Sequence, residues 1–232
     1  MAARLILLHS PLLGAFTWQP VAKALRARGH VVEAPAWPRL STLGDDCYAA
    51  LANSMAATID HGEPAIVAAH SGAGALLPSV AALAQRPLAG VVFCDAILPH
   101  PGLSWFDTAP PDLGAQLRAG AVAGKLPSWD HWWPPGALER LLPDAVLRAE
   151  LLAELEPIPL GYFEELAPEI DLDAPAAYLQ LSGAYSEEAR LAGRRGWPVV
   201  TLPLHHLAML THAEAVASAI ESLAQRLEAG HG

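Results

Sequence analysis

The stretch Ala69-His70-Ser71-Gly72-Ala73 sets a serine hydroxyl among the smallest residues available, directly after the apolar run Ala65-Ile66-Val67. Small residues forgo packing area, and glycine costs backbone entropy. The crowding relief therefore has to serve something. A nucleophilic serine on a sharp strand-to-helix turn needs it. Its backbone is strained, its hydroxyl projects above the sheet, and strand and helix pass close together. The residues two before and two after such a serine must be small, and Ala69 and Ala73 fill those places. The N–H of Gly72 would then open the following helix, where a developing negative oxygen is stabilised.

A serine hydroxyl is a poor nucleophile without a base. The run Leu202-Pro203-Leu204-His205-His206-Leu207-Ala208-Met209-Leu210-Thr211-His212 offers histidines near the end of the chain. In the order serine, acid, histidine, the base belongs there. Two other chemistries compete. Gly72-Ala73-Gly74, with Asp95 some twenty residues on, imitates a dinucleotide fingerprint. Leu77 stands where its third small residue should be, and Pro78 fits neither reading. A metal site from His205, His206 and His212 lacks a recognisable spacing and a carboxylate or cysteine partner. No metal and no cofactor is expected.

The elements that must position these residues alternate. Arg4–His9 reads as a buried strand. Trp18, Val21, Ala22 and Leu25 fall at i, i+3, i+4 and i+7 of a helix that Gly29 ends, with Pro20 tolerable in its first turn. Strands are expected over 30–35, 64–70, 88–96, 176–183 and 198–203. Helices are expected over 44–60, 72–85, 186–196 and from Thr211 onward, where Thr211 and Glu214 are spaced as a capping box. The buried stripe of the last helix is Val216, Ala219, Ile220, Leu223 and Leu227. Strands alternating with helices predict an α/β fold, with a mostly parallel six-stranded sheet covered on both faces. Residues 98–172 differ in texture: eleven prolines and four of the seven tryptophans lie there. The segment is too long for a loop in a compact domain and reads as a helical insertion into a single domain spanning 1–232.

Composition narrows the function classes. The chain has 232 residues, 53% hydrophobic and 16% charged, and a formal charge of -10. It is long enough for a sizeable core, and its acidity argues against nucleic acid and anionic membranes as partners. Two cysteines, Cys47 and Cys94, make no disulfide framework, and no apolar stretch approaches the length of a membrane helix. A cytoplasmic protein acting on a small molecule is expected. A homodimer is left open.

At this point the chain resembles the α/β-hydrolase superfamily over nearly its full length. It looks closest to small members that include plant methylesterases and hydroxynitrile lyases. The opening residues 7–35 are similar to that group's first strand, oxyanion loop and first helix. Residues 69–74 match its elbow, and His205-His206-Leu207-Ala208-Met209 match its histidine loop. The resemblance implies Ser71 as nucleophile and His206, three before Met209, as base. It gives His9 a structural task in the loop.

Two departures from the pattern matter. The group's usual acid position, in the loop after the strand over 176–183, appears as Ser186. The remaining acids are Asp95, which some family members use at the same strand end, and the neighbouring Glu187. Asp95 is favoured. The residue two after His9, which should donate an N–H to the oxyanion, is Pro11, which has none. Leu12 is the substitute, beside Gly72. Ser10 stands where hydroxynitrile lyases keep a substrate-touching hydroxyl. The insertion is expected to cover the site, with Trp105, Phe106 and Trp129 as walls for an apolar or aromatic group. The function this implies is a serine hydrolase for a small carboxylic ester or thioester. The alternatives are a lyase or cyclase using Ser71 and His206 for proton transfer only, or a non-catalytic small-ligand binder on the same scaffold.

Overall fold

The computed structural model describes residues 3–229. Six short apolar runs form one sheet: β1 (Arg4–Leu8), β2 (Val31–Glu33), β3 (Ile66–His70), β4 (Gly90–Cys94), β5 (Ala176–Gln180) and β6 (Val199–Thr201). Their spatial order is β2-β1-β3-β4-β5-β6, and every neighbouring pair is parallel. Side chains alternate across each strand. Leu5, Leu7, Ile66, Ala68, Val92 and Leu179 enter one core with α1 (Gln19–Ala27) and the final helix. Ile6, Leu8, Val67, Val91, Phe93 and Tyr178 enter the other, with α2 (Cys47–Ile59), α3 (Leu77–Leu83) and α4 (Ser186–Arg194). Both faces are apolar, so the strands read as continuous hydrophobic runs.

The helix behind Ser71 differs from its sequence-based expectation. Residues Ser71–Leu76 form a 3-10 turn, and the α-helix begins only at Leu77. Pro78 therefore sits in the first helical turn, where a missing N–H costs nothing, which accounts for its presence. A second correction concerns the last helix, α5 (Ala213–Ala229). Thr211 does not cap it. The Thr211 hydroxyl is engaged by His205 Nε2 and His212 Nδ1, both at 2.8 Å. The predicted stripe of Val216, Ala219, Ile220, Leu223 and Leu227 is buried.

Between β4 and β5 the chain folds into short helices over Trp105–Thr108, Pro111–Gly120, Ala137–Leu141, Ala145–Glu154 and Leu160–Glu164. A two-residue antiparallel pairing joins Lys125–Leu126 to Ile158–Pro159. Three glutamates tie this segment to the rest. Glu154 accepts from Phe16 N at 2.9 Å, Glu156 from Ser41 N at 3.2 Å, and Glu165 from Cys47 N at 2.9 Å and Tyr48 N at 3.1 Å. Each receives N–H groups from the first turn of a helical element, where carboxylates are favoured. Gly14 is glycine for the same reason, since a Cβ there would lie 1.9 Å from the Glu154 carboxylate. Among the described residues no helix is long and apolar enough to cross a membrane.

Candidate active site

The residues with reactive groups converge at the carboxyl ends of the strands, where open parallel sheets place their ligands. Ser71 follows β3 directly. Its φ of +55° is in the left-handed region that an L-residue avoids. Ala69 and Ala73 are fully buried on either side. The tightest approach is one residue further on: a Cβ on Gly74 would lie 2.2 Å from the carbonyl oxygen of Ile97. That contact, with the Ile97 N–H on the Ser71 carbonyl at 3.2 Å, presses the turn against the end of β4.

Asp95 follows β4 and also has positive φ, +46°. The side chain is fully buried and four donors reach it. Leu181 N (2.8 Å) and Ser182 N (2.9 Å) bind Oδ1, while the Ser182 hydroxyl (2.7 Å) and His206 Nδ1 (2.8 Å) bind Oδ2. Burial alone would raise its pKa. The His206 bond and charge, with the Ser182 and Leu181 donors, outweigh burial and hold the carboxyl below its usual range. The ionised carboxylate can only accept, so Nδ1 of His206 carries the proton and Nε2 is left as a base. Glu187 faces outward and is paired with Arg190. Ser186 Oγ donates to the Gly183 carbonyl at 2.9 Å.

His206 lies in the loop after β6. Its carbonyl accepts from Nε2 of His70 at 3.0 Å, and the two rings sit 4.4 Å apart. His70 is fully buried. Burial and the neighbouring His206 keep its pKa well below the ordinary value, so it is a neutral donor. Among the described residues Nδ1 of His70 has no hydrogen-bond partner, nor has Nε1 of the nearby Trp18, whose ring packs edge-on at 6.1 Å. His205 instead bonds Thr211 and meets the ring of His212.

The loop after β1 closes the other side. His9 bonds the Ser10 carbonyl through Nδ1 (2.7 Å) and accepts from Trp37 N through Nε2 (3.3 Å), as its structural role requires. Burial lowers its pKa to about 4. Pro11 occupies the second position of a turn closed by Leu13 N on the Ser10 carbonyl at 2.9 Å, a place proline favours. The Leu12 N–H points to Ser10 Oγ at 3.3 Å. A Cβ on Gly72 would lie 3.5 Å from Ser10 Oγ and 3.6 Å from both Pro11 Cδ and the Tyr162 hydroxyl, so these groups border the space beside Gly72. A cavity of about 210 Å³ runs along this loop, lined by Pro11, Leu12, Trp37 and Glu154 among others, and includes neither Ser71 nor His206.

Of the three aromatic walls expected, Trp129 reaches the site, with its ring 6.3 Å from that of His206. Trp105 and Phe106 pack on Phe163, 5.0 and 5.6 Å away, within the segment's own aromatic cluster. Phe163 is followed back along the chain by Tyr162, the ring whose hydroxyl borders Gly72. Tyr162 and Tyr185 were not expected from sequence. Tyr185, from the loop after β5, bonds Ser71 Oγ through its hydroxyl at 3.3 Å and stacks on His206 at 5.0 Å and 7°. The one available signal for it is position: it adjoins Ser186, the place where the resembled family keeps an acid.

No protein-family model and no curated protein sequence matches this chain. Solved structures match it. An extracellular α/β-hydrolase from a Paenibacillus species, described as sharing structural and functional homology with a tobacco salicylic acid binding protein, superposes with a TM-score of 0.78. It is 19% identical, over 95% of this chain and 98% of that one. A pyrethroid hydrolase from Sphingobium faniae gives 0.74 at 19% identity, over 97% and 98%. Tomato methylketone synthase I, solved with 2-tridecanone, gives 0.73 at 16% identity, over 98% and 99%.

Proposed function

On the premise that this chain has the α/β-hydrolase fold, we propose that it is a serine hydrolase cleaving a small carboxylic ester or thioester through an acyl-enzyme. Ser71 Oγ attacks the carbonyl carbon while Nε2 of His206 takes its proton. Asp95 fixes the tautomer of His206 and stabilises the imidazolium. The oxyanion is held by the N–H of Gly72, at the start of the helical turn. The second donor comes from the loop after β1. Leu12 N–H, bound to Ser10 Oγ, either swings to the oxyanion or leaves the Ser10 proton free to point at the substrate. The imidazolium returns its proton to the leaving alcohol or thiol, and water repeats the attack on the acyl-serine. The segment over 98–172 serves as a cap. Trp129 beside His206 and the Trp105, Phe106 and Phe163 cluster favour an apolar or aromatic substituent.

The observation that carries this reading is the 2.8 Å bond from His206 to a buried carboxylate, beside a serine strained at positive φ. Ser71 and His206 share Tyr185 as a neighbour rather than a bond with each other. Catalytic hydrogen bonds are often long in substrate-free sites and tighten on binding. The test is turnover of p-nitrophenyl esters. Ser71→Ala is expected to abolish it while leaving the thermal unfolding temperature unchanged. Retained turnover would reject Ser71 as nucleophile.

Pro11 supports one second reading, a lyase or cyclase that uses Ser71 and His206 only to move protons, since chemistry without a tetrahedral intermediate needs no full oxyanion hole. Methylketone synthase, by its name, shows that this fold is not confined to hydrolases. Intact mass during turnover of a slow ester separates the two readings, because only hydrolysis through Ser71 leaves an acyl adduct.

A further inference from the structure

We infer that Tyr185 is a catalytic residue, whose hydroxyl donates to Ser71 Oγ and whose ring backs the imidazole of His206 during the attack. The inference rests on Ser71 being the nucleophile and goes beyond it. The Ser71 hydroxyl has one proton and two lone pairs. A phenol is the more acidic partner, so Tyr185 is the better donor across the 3.3 Å contact. With that lone pair occupied by Tyr185, the serine proton is free to face Nε2 of His206. Burial, opposed by the Ser71 bond, pushes the Tyr185 pKa up, so the phenol keeps its proton throughout the working range.

The contact is long for an O–H···O bond and therefore weak in the resting enzyme. It strengthens when charge gathers on Oγ as the proton leaves, because hydrogen bonds to anionic oxygen are shorter and stronger. An interaction that is stronger in the transition state raises kcat, not affinity. The ring acts in the same direction. It lies parallel to the imidazole at 5.0 Å, and an aromatic face attracts the imidazolium that forms as the proton arrives. Asp95 holds the far nitrogen and His70 holds the backbone of the same residue. Tyr185 thus touches both reacting partners.

Two variants separate the hydroxyl from the ring. Tyr185→Phe keeps the stacking and removes the donor. Tyr185→Leu removes both. Steady-state turnover of a p-nitrophenyl ester and the rate of phosphonylation by a fluorophosphonate are measured on each. Tyr185→Phe is expected to lose about tenfold in kcat, which corresponds to about 1.4 kcal/mol, with KM unchanged and phosphonylation slowed by the same factor. Tyr185→Leu is expected to lose more in both rates. Wild-type rates in Tyr185→Phe, faster rates, or a change confined to KM would overturn the role of Tyr185 and leave the nucleophile untouched. Failure of the wild type to phosphonylate at Ser71 would remove the hydrolase reading and this inference with it.

Discussion

The two sides of Ser71 are built differently. On the base side, Asp95 is fully buried and accepts four hydrogen bonds of 2.7–2.9 Å, one of them from Nδ1 of His206. On the loop side, between Ser10 and Leu13, one residue has no N–H and the next gives its own to Ser10 Oγ at 3.3 Å. The base side is saturated with hydrogen bonds. The loop side holds its donors inside its own turn. The difference teaches that, on the proposed reading, this site spends its polar groups on holding His206 in one tautomer, and leaves oxyanion stabilisation to Gly72 and to whatever the loop releases on binding.

The largest effect should come from breaking the base side. Asp95→Asn puts an amide where a carboxylate oxygen now meets Nδ1–H. The histidine then flips tautomer, and its Nε2 becomes a donor unable to take the serine proton. A loss of roughly 10⁴-fold in kcat is expected. Loss of less than about tenfold would show that Asp95 is not the acid. The same substitution probes stability. The Asp95 pKa is lowered by folding, so its charge contributes stability above the unfolded value of about 3.9. That contribution is lost as pH falls through the lower folded value. The stability margin of wild type over Asp95→Asn should therefore be full at neutral pH and shrink in strong acid, as read by denaturant titration.

A smaller effect of opposite sign should come from completing the loop side. Pro11→Ala keeps the turn, because the closing bond from Leu13 to Ser10 does not involve residue 11, and it adds an N–H at a position the turn leaves free. A gain of roughly tenfold in kcat is expected from a recovered oxyanion donor, alongside a stability loss of about 0.4–1 kcal/mol from the freer unfolded chain. An unchanged or reduced kcat would mean that the loop does not face the reacting oxygen.

The contrast also governs what could be read from sequence. The sheet was legible because parallel strands buried on both faces are runs such as Arg4–Leu8 and Gly90–Cys94, and because Ala69, Ala73 and Gly74 record the close passage of strand and helix. The pairing of His206 with Asp95 was favoured through the resemblance to family members with an acid at that strand end, with Glu187 second. Only burial, which sends Asp95 inward and leaves Glu187 to Arg190, separates them. Tyr185 left only a positional signal, its place beside Ser186, since its contacts depend on a ring crossing from the β5 loop to two residues far away in sequence. The Thr211 capping box failed because a tertiary partner, His205, took the hydroxyl the helix would have used. Pro78 was opaque until the 3-10 turn moved the start of the α-helix by five residues, from Gly72 to Leu77. Of the three aromatic walls expected, Trp129 lies beside His206, whereas Trp105 and Phe106 pack on Phe163.

Everything asked of Tyr185, Asp95 and the loop presupposes that one hydroxyl becomes covalently bound. Intact and peptide-level mass after fluorophosphonate treatment measures that directly. A single adduct on the peptide bearing residue 71, absent from Ser71→Ala and strongly reduced in His206→Ala, is the predicted result. An adduct on another residue, or one that persists in Ser71→Ala, would contradict the account.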